Sequence, residues 1–198
     1  METEKLIRNK IEQELPETIF FTDDFREFGT PDAVNTALHR ISKKGEIKAV
    51  ARGIYVKPKY SDLLNKELTP SIEKIAKAIA ERDQVRIIPT GSFALYSLGL
   101  STQVPLNIVY LTDGSARKIN IGKRKITFKR TVPRNLSLKG ELSVLVVLAL
   151  KEIGREKLTE KEETQIIEVL KKENYENLKH DIRIAPQWIA EIMAKAIK

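Results

Sequence analysis

A chain of 198 residues with no cysteine and only two histidines, His39 and His180, has no material for disulfides, thiolate zinc sites, a cysteine nucleophile or a histidine-rich metal centre. Its formal charge of +8 and pI of about 9.5 favour a polyanionic partner, and a hydrophobic fraction of 41% is that of a globular protein with one large domain or two small ones. The N-terminus is polar and amphipathic rather than a signal peptide, and the most apolar run, Leu142 to Leu150, is too short to span a bilayer, so a soluble cytoplasmic protein with no membrane role is expected.

Leu6, Ile7, Ile11 and Leu15 recur at helical spacing and predict an amphipathic helix over 4–14 that Pro16 ends. Ile19-Phe20-Phe21 is a short extended run. Thr22, followed by Asp23 and Asp24, reads as the N-cap of a second short helix that carries Phe25 and Phe28 and stops at Gly29. Thr30-Pro31-Asp32 supplies the cap, N1 proline and first-turn acid of a third helix. Its Val34, Ala37, Leu38 and Ile41 share one face, and Gly45 ends it. Glu46 to Val50, then Ala51-Arg52-Gly53, then Ile54 to Pro58 predict strand, tight turn and strand.

Residues 57–68, with Pro58, Ser61, Asp62 and Asn65, are the candidate linker. Thr69-Pro70 repeats the cap pattern and opens a helix to about Glu81. Val85 to Pro89 predicts a strand, Thr90-Gly91-Ser92 a turn, Phe93 to Leu98 a short helix, and Leu106 to Leu111 a second strand. Residues 117–132 alternate around a Gly122-Lys123 turn, with Ile119, Ile121, Ile126 and Phe128 on one face, as a basic hairpin does. Glu141 to Ile153 predicts a buried helix. Thr159-Glu160-Lys161-Glu162 is a capping box opening a helix to about Lys172. Pro186 opens a last helix that packs through Trp188, Ile189, Ile192, Met193 and Ile197.

The fold class expected is therefore α+β. A winged helix-turn-helix occupies residues 1–60, and a mixed α/β domain with a helical C-terminus occupies 61–198. A helix-turn-helix lays one helix in the major groove and another across the phosphates. Opposite the apolar face of the third helix stand Asn35, Thr36, His39, Arg40 and Lys43. Arg40 suits guanine and Asn35 adenine, each in bidentate fashion. Thr36, Lys43 and Lys44 suit phosphate contacts, which set register without reading sequence. Arg52 at the hairpin tip, flanked by Lys48 and Lys57, suits backbone or minor groove. The plainer account of these residues is a packing module with a solvated basic face.

The tracts Lys44-Gly45-Glu46-Ile47 and Arg52-Gly53-Ile54-Tyr55-Val56 are similar to the winged helix of AbiE-type antitoxins of type IV toxin–antitoxin systems. Gly91-Ser92-Phe93-Ala94-Leu95, Leu98-Gly99-Leu100, Val104-Pro105 and Asp181-Ile182-Arg183-Ile184-Ala185-Pro186-Gln187-Trp188 extend the resemblance over nearly the whole chain. It implies an N-terminal domain that binds inverted repeats in its own promoter and represses it, and binding to inverted repeats would want a pairing of copies on the DNA. It also implies a C-terminal domain that counteracts a nucleotidyltransferase toxin without forming a stable complex. The DNA contacts carried over fall on Asn35, Thr36, His39, Arg40, Lys43 and Arg52.

Gly91-Ser92 in a strand–turn–helix setting is also how nucleotidyltransferases approach phosphates, but those enzymes need two carboxylates on the next strand to hold Mg²⁺. Here that strand offers Asn107 and Val109, and no acid before Asp113. At most a degenerate relative without activity, cofactor or metal is expected, and a turn with an N-cap is the favoured account of Gly91-Ser92. The hairpin cations Arg117, Lys118, Lys123, Arg124, Lys125, Lys129 and Arg130, with Arg134 beyond them, suit added DNA backbone contacts, docking on an acidic partner such as tRNA, or a merely solvated face. The functional expectation is a DNA-binding repressor that autoregulates a toxin–antitoxin operon. The rivals are a protein- or RNA-interaction adaptor using the basic second domain and, more weakly, a residual nucleotidyltransferase.

Overall fold

The computed structural model describes residues 2–61 and 65–197, without the side chains of Lys66, Arg134 and Asn135. The protein is α+β and divides into two compact units, residues 1–79 with 120–122, and residues 80–119 with 123–198.

The first unit runs α1 (Glu2–Gln13), β1 (Ile19–Phe21), a 3-10 helix (Thr22–Phe28), α2 (Pro31–Lys43), β2 (Lys48–Ala51) and β3 (Ile54–Val56). β3 lies between β1 and β2, with Ile19 opposite Val56 on one side and Lys48 opposite Val56 on the other. Ile7 and Ile11 of α1, Phe25 of the 3-10 helix, and Val34, Leu38 and Ile41 of α2 close one core with Phe20 and Ile47. Leu6 and Leu15 stay out of it, 40% and 75% exposed. Leu6 sits a hundred degrees round the helix from Ile7, and Leu15 lies beyond the last turn.

The Thr30 hydroxyl caps α2 by accepting from the Ala33 N–H, and Pro31 occupies the first turn. Gly45 follows at φ 80, in the left-handed region that glycine favours. The second helix differs from expectation. It is a 3-10 segment that already includes Thr22, and its cap is the Asp24 carboxylate, which accepts from the Phe21 N–H at 2.7 Å. At seven residues, between β1 and Gly29, it is longer than most 3-10 runs.

The segment expected as a linker contains β4 (Lys59–Ser61) and β5 (Lys66–Leu68), antiparallel with Tyr60 opposite Glu67; its Asp62 lies outside the described residues. Both strands are short and polar, so neither shows an apolar alternation in the sequence. α3 (Ile72–Arg82) follows, and its cap is Ser71, not Thr69, since the Lys74 N–H donates to the Ser71 hydroxyl at 3.2 Å.

In the second unit, β6 (Ile87–Pro89), β7 (Asn107–Thr112), β8 (Arg117–Ile121) and β9 (Arg124–Arg130) form one sheet in the order β6-β7-β9-β8. β6 is antiparallel to β7. β9 is parallel to β7, with Ile108 opposite Ile126 and Tyr110 opposite Phe128. α4 (Gly91–Ser97) connects β6 to β7. The helical part is α5 (Glu141–Ile153), α6 (Glu160–Leu170), α7 (Tyr175–Ile184) and α8 (Gln187–Ala194). Val146, Val147, Leu150, Ile166, Leu178 and Ile189 form its core with Met193. The Thr159–Glu162 capping box opens α6 as read.

Two carboxylates from elsewhere fix the start of α5. The Asp181 side chain, fully buried, accepts from the N–H groups of Lys139 and Gly140, and Glu173 accepts from those of Leu142 and Ser143, all four at 2.7–3.0 Å. Those of Gly140, Leu142 and Ser143 are N–H groups that a helix start leaves without partners, at the positive end of its dipole. A Cβ on Gly140 would lie 2.5 Å from the Glu173 carboxylate, so a larger residue there would have to displace the acid from its place at the helix start. Among the described residues no helix is long and apolar enough to cross a membrane.

Candidate nucleic-acid interface

With Val34, Ala37, Leu38 and Ile41 turned into the core, the other side of α2 is exposed along its whole length. The helical repeat of 3.6 sorts its side chains into two ridges, Asn35–His39–Lys43 and Thr36–Arg40–Lys44. All six are exposed, as are Lys48 on β2 and Arg52. Ala51 stands opposite Ile54, so Arg52-Gly53 is a two-residue turn. Gly53 takes φ 71 there, which frees Arg52 to occupy the tip. β2 is the outer strand of its sheet, so Lys48 faces solvent on the same hairpin.

The two ridges differ in their bonds. The Asn35, His39 and Lys43 side chains make no hydrogen bond or ion pair among the described residues, and the same holds for Thr36, Lys48 and Arg52. Arg40 and Lys44 instead reach Glu4 on α1, at 3.7 and 3.0 Å. Arg8 bonds the same carboxylate at 3.1 Å and Glu46 at 2.7 Å. The Lys44 hydrogen bond, with the charges of Arg8 and Arg40 and against the opposing effect of burial, holds the Glu4 carboxyl below the usual glutamate range. Arg40 and Lys44 remain more than half exposed, at 58% and 55%. Glu4 carried no signal in the sequence beyond being a first-turn acid of its helix.

Lys57 was expected beside the hairpin as a contributor of charge, and its ammonium group is elsewhere. It donates to the carbonyls of Ile11, Glu12 and Glu14, at 3.0, 3.0 and 2.6 Å, and so caps the C-terminal end of α1.

In the basic hairpin of the second unit, Lys118, Lys123, Arg124, Lys129 and Arg130 are exposed and Lys125 is half-buried, all without a side-chain partner among the described residues. Arg117 is bonded to Asp83 and lies over the Phe128 ring, 5.3 Å from its centre. Burial pushes the Asp83 carboxyl up, but the hydrogen bonds from Arg82 and Arg117 outweigh it and hold the group below its usual range. The side chain of Arg134 lies outside the described residues.

Gly91 has a packing role. A Cβ there would fall 2.6 Å from Cβ of Glu152 and 3.0 Å from the Leu148 carbonyl oxygen, so glycine lets α4 lie against α5. Asp113 bonds the backbone N–H and guanidinium of Arg86, at 2.8 and 3.0 Å, and these two bonds hold its carboxyl below the usual range. Among the described residues no group of three or more His, Asp or Glu is placed to hold a metal ion.

Fold and site together define an α+β protein whose N-terminal unit presents a basic helix and hairpin to solvent. The chain belongs to the DUF6088 family, a family of unknown function, whose pattern it matches over residues 6–178. No curated protein matches it in sequence.

Proposed function

We propose that the N-terminal unit is a winged helix-turn-helix that reads double-stranded DNA, and that the protein is a transcriptional repressor. In this reading the 3-10 helix and α2 form the helix-turn-helix, α2 enters the major groove, and the β2–β3 hairpin is the wing. The observation that carries it is the ridge of Asn35, His39 and Lys43, exposed and without side-chain partners among the described residues, beside Arg40 and an Arg52 hairpin tip. Asn35 and Arg40 have the donor and acceptor geometry for adenine and guanine edges, and Thr36, Lys43, Lys44 and Lys48 suit phosphates. The similarity to AbiE-type antitoxins supports a further step. That step is autoregulation at inverted repeats, with two copies paired there, and a functional link to a nucleotidyltransferase toxin.

The test is salt-dependent binding of the purified protein to its own upstream DNA and to a scrambled duplex of equal length. Tighter binding to the native duplex is expected, with Asn35→Ala and Arg40→Ala each costing about 1–3 kcal/mol there and little on the scrambled one. Equal binding to both duplexes, vanishing with salt, would reduce the surface to an unspecific polycation.

A further inference from the structure

A second feature of the molecule belongs neither to the proposed DNA surface nor to the basic hairpin. In the second unit, α5 and the α7–α8 junction leave a half-open cleft of about 900 Å³ against β6 and β7. Its floor is aliphatic, with Ile88, Leu111, Val147 and Leu148, and Val147 is almost fully buried. Lys151 from the last turn of α5 and Arg183 from the last turn of α7 also line it. Among the described residues neither has a hydrogen bond or ion pair, and none that lines the cleft is acidic. Ile184, beside Arg183, is 44% exposed.

A cation in the last turn complements its helix dipole, and that accounts for one of these side chains on each helix. It does not account for two cations, unpaired among the described residues, lining one cleft with an apolar floor. Such a pair raises a positive potential in a partly desolvated space, where an anion is attracted more strongly than at an open surface. The volume is that of a small-molecule site, in which an apolar lining supplies affinity and a few polar groups set orientation. The walls are firmly held, because the caps from Asp181 and Glu173 tie α7 and the segment before it to the start of α5.

We propose that this cleft binds a small anionic amphiphile, its apolar body on Ile88, Leu111 and Leu148 and its carboxylate, sulfonate or phosphate head between Lys151 and Arg183. No step of this depends on the DNA-binding reading, and either can fail without the other.

The experiment uses the full chain and two probes with one aromatic body, 8-anilinonaphthalene-1-sulfonate and the neutral N-phenyl-1-naphthylamine. Fluorescence titration is expected to give one site for the sulfonate, weakened roughly tenfold or more in the Lys151→Ala/Arg183→Ala double variant, while the neutral probe changes less than about twofold. Both cations are exposed, so thermal melting should show the double variant folded. Ala185→Trp, at the cleft wall, should abolish both titrations. The proposal is overturned if the sulfonate binds the double variant as it binds the native chain. Equal loss of both probes in that variant overturns it too, as does binding that survives Ala185→Trp.

Discussion

The two basic tracts of the chain look alike as compositions and differ as surfaces. Residues 30–60 hold seven basic residues against Asp32 and Glu46, and residues 115–139 hold nine against none. In the first, Lys57 turns inward to cap α1, and Arg40 and Lys44 share Glu4 with Arg8, which leaves Lys43, Lys48, Arg52 and Lys59 without a partner among the described residues. In the second, Arg117 is taken by Asp83, while Lys118, Lys123, Arg124, Lys125, Lys129 and Arg130 have no side-chain partner among the described residues. A charge count measures what attracts a polyanion at long range. Which charges remain available at contact depends on which of them finish helices or answer buried acids, and that is settled by the fold.

The same use of charge with opposite sign gives the largest expected effect. If Asp181 and Glu173 are the N-terminal counterpart of Lys57, removing Asp181 strands two backbone donors, that of Gly140 in a buried place and that of Lys139 in a part-buried one. Asp181→Ala is expected to cost about 2–4 kcal/mol in denaturant unfolding. A cost near that of a surface substitution would mean that α5 is held by its apolar face alone.

The next prediction compares the tracts on DNA. Neutralising Lys43, Lys48 and Arg52 together should reduce the slope of log K against log salt by about two to three, at roughly one phosphate per cation. Neutralising Lys123, Arg124 and Lys125 should change that slope by less than about one if the second tract serves another partner. Equal flattening by both triples would erase the distinction and make the second hairpin part of the DNA footprint. Smaller again is the expected effect of Lys57→Met, which keeps the aliphatic stem but removes three charge-assisted bonds to carbonyls. It should lower stability by about 1–2 kcal/mol without touching the salt slope. A changed slope would place Lys57 on the DNA after all.

Much of this architecture was legible in the sequence because local rules determine it. Thr30-Pro31 and the 3.6-residue spacing fixed α2 and its exposed side, and Thr159–Glu162 fixed the start of α6. What escaped depends on partners far along the chain. Nothing local to Lys57 announces three carbonyls 43 to 46 residues away, and nothing local to Glu4 announces Lys44. α7 went unread although Asn174 caps it by accepting from the Asn177 N–H at 3.1 Å, because its apolar positions are few and interspersed with charges. Gly91 shows the reverse hazard. A glycine in a strand–turn–helix setting suggests phosphate, and the Leu148 carbonyl and Glu152 explain it by packing.

The smallest effect is the most informative about the reading helix. Because Glu4 has the lower pKa in the folded protein, its contribution to stability is complete above the unfolded value and is lost as pH falls through the folded one. The melting temperatures of the native chain and Glu4→Gln should therefore differ at neutral pH and converge as pH falls through the folded value, below the usual glutamate range. On DNA the same change removes a negative charge beside Arg40 and Lys44, so affinity for a scrambled duplex should rise and its salt slope steepen by about one. For the native duplex the two consequences oppose each other. Arg40 gains freedom to reach phosphate but loses the carboxylate that orients it, and a guanine contact needs its guanidinium held in one plane. The ratio of native to scrambled binding is expected to fall. A ratio that rises would mean that Glu4 restrains Arg40 rather than aiming it.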